Sequence, residues 1–131
     1  MMLLISLACA GEPTPKEDAL AVREDLASLE KHIAVPEGWV AVRWVARAKG
    51  EPGLGPTDLV LLAEFTAPPV EGLDGTGHAL VTPDAELASA LGLDGTLSGQ
   101  GLATAPFETS MWTGGFAVLV DDNVYVELHS R

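Results

Sequence analysis

Positive charge is what this sequence most lacks. Seven bases face nineteen acids over 131 residues, a formal charge of −12, and between Ala67 and Ser130 there is no Lys or Arg at all. A surface of that sign is repelled by phosphate backbones and by anionic lipid headgroups, which removes nucleic acid from the expected partners. Cysteine is almost missing as well. Cys9 stands alone, so no disulfide forms within the chain, and the scattered His32, His78 and His129 show neither HxH nor HExxH spacing, so no zinc site is expected. Gly75-Thr76-Gly77 and Gly99-Gln100-Gly101 contain glycine but lack the Lys of a Walker loop, and Leu97-Ser98-Gly99 departs from the G-x-S-x-G elbow of hydrolases. No cofactor is expected.

What is present describes a folded body. Apolar residues make up 47% and charged residues 20%, and the length suits one core rather than two. The expected division is residues 1–13 as a signal and tether and residues 14–131 as a single α+β domain.

Met1 to Ala10 reads MMLLISLACA, ten residues without a charge. As a helix it would span about 15 Å, half of a hydrocarbon core of about 30 Å, so it does not cross a bilayer alone. An apolar run of this length ending in small residues has the form of a secretory signal. Within it, Ser6-Leu7-Ala8-Cys9 resembles the lipobox of bacterial lipoproteins, in which a small residue precedes the cysteine that receives lipid. The resemblance implies that Cys9 is acylated, that Ala10 to Pro13 is the tether, and that the body sits at the membrane of the bacterial cell envelope. Secretion without a lipid, or a cytoplasmic protein with an apolar start, are the other readings.

Thr14-Pro15-Lys16-Glu17 reads as a capping box, followed by an apolar stripe at Ala19, Val22, Leu26, Leu29 and Ile33. The spacing predicts an N-terminal helix that Pro36 and Gly38 end. Trp39 to Ala48 alternates, with Val40, Val42, Trp44, Ala46 and Ala48 on one face, and Trp44 as the buried one of its two tryptophans. Asp58 to Thr66 is a more central strand, placed in a hairpin so that Glu64 faces Arg43 or Arg47 as an exposed pair. His78 to Val81 is a short strand, Thr82-Pro83 a helix start, Asp84 to Leu91 a short second helix ended by Gly92, and Leu97 to Pro106 a weak strand. Phe116–Val120 and Val124–His129 flank Asp121-Asp122-Asn123 as a terminal hairpin. Assembled, these predict an α+β fold with a single antiparallel sheet, the N-terminal helix packed across one face.

Three functions fit these residues. The first is a membrane-tethered envelope domain with a non-enzymatic binding or structural role, contacting the membrane through its lipid and a protein partner through its body. Trp112, beside Gly114-Gly115, is its candidate contact, with core packing of the indole as the alternative; Asp121 and Asp122 are the others. The second is a small secreted hydrolase using His78 or His129 with a carboxylate, close to Ser98 or Thr113. The third is an acidic cation-binding module, since nine carboxylates follow Ala67 with only Arg131 to answer them.

Overall fold

The structure is a computed structural model, and it describes residues 21–49, 58–93 and 95–130. Among the described residues six strands form one antiparallel sheet: β1 (Val42–Lys49), β2 (Asp58–Phe65), β3 (Gly75–Val81), β4 (Leu97–Leu102), β5 (Trp112–Val120) and β6 (Asn123–Ser130). Their order across the sheet is β1-β2-β6-β5-β4-β3. Two short helices among the described residues accompany them, α1 (Leu26–Leu29) and α2 (Ala85–Ala90), with a 3-10 turn at Ala105–Phe107. Among the described residues no helix is long and apolar enough to cross a membrane.

The expected α+β arrangement, with a long N-terminal helix lying across the sheet, is corrected here. Residues 14–20 of the expected helix lie outside the described residues. From Ala21 to Asp25 the chain is not helical; Arg23 donates its N–H to the Trp44 carbonyl at 2.9 Å and accepts the Trp44 N–H at 2.8 Å, bridging to the outer side of β1. The Arg23 guanidinium lies 5.2 Å from the Trp44 ring centroid, and the Trp44 indole N–H donates to the Asp25 carbonyl at 3.2 Å. Backbone groups that would close helical turns are therefore committed to the sheet edge, and only four residues remain helical. Val22, assigned to the buried stripe, is 36% exposed, whereas Leu29 and Ile33 are buried.

Both faces of the central strands are covered. On one, Val42, Trp44, Leu61, Ala63, Phe65, Val124, Val126 and Leu128 pack beneath Leu29, Ile33, Trp39 and Phe107. On the other, Val45, Val60 and Leu62 pack beneath Leu87 and Leu91 of the α2 segment. This double burial explains why β2 is almost continuously apolar. The expectation that Val40 shares the Val42 and Trp44 face also fails. Val40 is 72% exposed, and Trp39 is as buried as Trp44, because both residues precede β1 and strand parity does not govern them. The Trp39 indole N–H donates to the Pro69 carbonyl at 2.7 Å while its ring meets Phe65 edge-on.

Helix α2 starts two residues later than a Thr82 cap with Pro83 in the first turn would place it. Asp84 is its N-cap, accepting the N–H groups of Glu86 and Leu87, both at 3.1 Å. The β5–β6 connection turns at Asp121, at φ 55°, between Val120 and Asn123, which pair across it.

Candidate functional site

Strand register gathers the ionisable groups on the face beneath α2. Arg43 lies opposite Glu64, and Glu64 opposite Tyr125; the parallel row one turn of the pleat away runs Val45, Leu62, Glu127 and Phe116, and the next runs Arg47, Val60, His129 and Thr113. Side chains two residues apart share a face, so four neighbouring strands suffice to line up these rows.

In the first row Arg43 Nε donates to Glu64 Oε1 at 2.6 Å and Arg43 Nη2 to the Leu91 carbonyl at 3.0 Å, while the Tyr125 hydroxyl donates to Glu64 Oε2 at 2.9 Å. Burial, and then the Glu64 carboxylate, raise the Tyr125 phenol above its ordinary range. Glu64 is 7% exposed while Arg43 is half-exposed, so the pair read from the sequence as an exposed one is part-buried.

The second cluster joins helix to sheet. Arg47 grips Asp84 with two parallel bonds, Nε to Oδ1 at 3.0 Å and Nη2 to Oδ2 at 2.6 Å, and also meets Glu86 Oε1 at 3.0 Å. The Arg47 guanidinium holds the Asp84 carboxyl below its usual range, assisted by the N–H groups it caps. Glu127 Oε1 accepts the Asp84 backbone N–H at 2.7 Å, and its other oxygen lies 3.2 Å from His129 Nε2. Beside Glu127, β5 carries an irregularity between Thr113 and Phe116, with Gly114 and Gly115 at φ 74° and 80°. Gly115 is required there, since a Cβ would overlap the Glu127 carbonyl oxygen.

The histidines and nucleophiles divide into two groups. His129 is the direct cross-strand neighbour of Thr113, but the Thr113 hydroxyl donates to Glu108 Oε1 at 3.1 Å. Ser98 Oγ lies 3.3 Å from His78 Nε2 on the outer β3–β4 ribbon, both side chains being exposed. The carboxylate expected for a hydrolase is thus found with His129 on β6, and the serine with His78 two strands further out.

The sequence-predicted contact residues are dispersed. Trp112 is 5% exposed and stands edge-on to His32, at 5.8 Å between ring centroids; His32 in turn stands edge-on to Trp44 at 5.6 Å. Trp112, His32, Thr109 and Met111 line a shallow hollow of about 430 Å³. Asp121 and Asp122 are exposed and border a separate hollow of about 220 Å³ with Ala67, Val70 and Leu119. Among the described residues no group of three or more His, Cys, Asp or Glu is placed to hold a metal ion. Cys9, the predicted lipid attachment, lies outside the described residues.

Sequence reasoning missed Asp84, Tyr125 and Glu127 as partners. The available signal was parity, since Tyr125 and Glu127 alternate with the apolar Val124, Val126 and Leu128. Nothing in the sequence said that a helix would cover their face. Protein-family models, curated proteins and solved structures contain no match to this chain.

Proposed function

We propose that this chain is a lipid-tethered domain of the bacterial cell envelope, with a binding or structural role rather than a catalytic one. One observation carries the second half of the reading. Both oxygens of Glu64, of Asp84 and of Glu127 are engaged by groups of the fold itself, so these buried and half-buried carboxylates serve to fasten α2 to the sheet. A general acid or base needs an oxygen facing substrate. The tether rests on Ser6-Leu7-Ala8-Cys9 and its resemblance to a lipobox. More than one acyl chain gives stable anchoring, which would hold even so acidic a body at an anionic surface.

The test is Cys9→Ser in cells fed an alkyne fatty acid. The unaltered chain is expected in the membrane fraction and labelled; the variant is expected in the soluble fraction and unlabelled. A Cys9→Ser chain that still pellets with membranes overturns the tether.

The Ser98–His78 contact favours one second reading, the hydrolase. A fluorophosphonate probe that labels the folded protein, and fails on Ser98→Ala, would establish it in place of the first.

A further inference from the structure

The two edges of the sheet are treated differently. The β1 edge is closed by the Arg23 bridge to Trp44 and carries Arg43 and Arg47. Among the described residues the β3 edge has none of these devices. Gly75 to Val81 reads GTGHALV, with no charge and no proline, its residues are largely exposed, and Leu80 is 69% exposed. Strands at sheet edges present a row of unpaired N–H and C=O groups, and natural edges are blunted by charge, proline or cover. Here the only irregularity is the register shift between Gly75 and Gly77.

The absence of charge is local. In a chain of net charge −12, residues 75–83 and 95–107 contain no ionisable residue but His78, so the β3–β4 ribbon is a neutral strip on an acidic body. A second copy brings the same negative charge, and an approach along β3 sets no carboxylate against another over those residues. We infer that β3 pairs antiparallel with β3 of a second copy about a two-fold axis, extending two six-stranded sheets into one. Such an interface is self-complementary, as isologous contacts require. Full overlap of the seven residues places the axis at His78, with Gly75 opposite Val81 and Gly77 opposite Ala79. His78 and Leu80, two residues apart and both exposed, then share one face at the junction, and each copy's Leu80 flanks the paired histidines.

Two seven-residue strands bury well under the roughly 1,200 Å² of a standard stable interface, so the dimer is weak and concentration-dependent. The test uses the full chain carrying Cys9→Ser, which removes both acylation and any Cys9 disulfide. Sedimentation velocity over a concentration series is expected to show the mass moving from 13.6 kDa toward twice that value. His78→Asp, which opposes two carboxylates at the axis, is expected to remain monomeric with an unchanged circular dichroism spectrum. Directly opposed antiparallel residues have Cα atoms about 4.5–5.5 Å apart, within disulfide range. His78→Cys is therefore expected to cross-link under mild oxidation at least about tenfold faster than the exposed control Val40→Cys, because pairing concentrates the thiols. A single monomeric species at all concentrations, or equal cross-linking at 78 and 40, overturns the inference.

Discussion

The Glu127 carboxylate accepts the backbone N–H of Asp84, the residue that caps α2, at 2.7 Å. One buried side chain of β6 thus fixes where the helix begins, and Arg47 closes the arrangement from β1 by gripping the Asp84 carboxylate. Buried ion pairs often break even against apolar packing, whereas removing one partner is costly. This cluster therefore acts mainly by deciding which way α2 sits.

Glu127→Gln retains an oxygen for the Asp84 N–H, and Glu127→Leu does not. The first is expected to cost about 1 kcal/mol or less, and the second about 2–3 kcal/mol, since it leaves a part-buried donor unpaired. Urea denaturation of both variants measures the difference; equal costs would show that the Asp84 contact contributes nothing.

Asp84 also sets a pH dependence. Its folded carboxyl titrates below the unfolded value near 3.8, principally because of its bonds with Arg47, so the stabilisation is complete above that value and is lost as pH falls through the folded one. Asp84→Asn keeps a good helix cap but removes the charge. The stability gap between wild type and Asp84→Asn is expected to be constant from pH 7 to about pH 5 and to narrow toward pH 2. Asp84→Ala is expected to cost about a further 1 kcal/mol through the lost cap.

Tyr125 is the only tyrosine, so phenolate absorbance reports on it alone. Burial and the Glu64 carboxylate raise its titration above the ordinary 10.0, so its contribution to stability is present below that value and lost at higher pH as the folded phenol ionises. Alkaline titration is expected to show a midpoint above 10.0, moving part of the way back in Glu64→Gln. A midpoint unmoved by that substitution would contradict the Tyr125–Glu64 bond.

Gly115 and Gly92 both have positive φ but differ in surroundings. A Cβ at Gly92 meets nothing within 4 Å, whereas one at Gly115 strikes the Glu127 backbone. Gly92→Ala is expected to cost about 1–2 kcal/mol from conformation alone, and Gly115→Ala more than about 3 kcal/mol. Thermal denaturation orders the two.

Phe107 is fully buried and stacks with Phe65 beside Trp39. Phe107→Ala is expected to cost about 3–5 kcal/mol, checked by the same denaturation experiment.

Alternation of side chains and turn chemistry, both local properties, made several elements legible. The β1–β2 and β5–β6 hairpins, an arginine of β1 opposite Glu64, and the helix ended by Gly92 could be read from sequence, whereas the choice of Arg43 over Arg47 came from the strand register. The first helix was misread because its apolar spacing is equally satisfied by a short helix and turn that bury Leu29 and Ile33, once Arg23 bonds to Trp44. Periodicity reports which residues want burial and not which partner their backbone will find.

By itself, then, the sequence determined the acidic character, the strand faces and the turns, because charge and two-residue alternation are carried by neighbouring residues. Only the tertiary structure decided that the Tyr125 and Glu127 face would be roofed by α2, and that, among the described residues, β1 would be bridged at its edge while β3 was not. Those outcomes depend on contacts between residues tens of positions apart, such as Glu127 with Asp84, whose meeting no local pattern encodes.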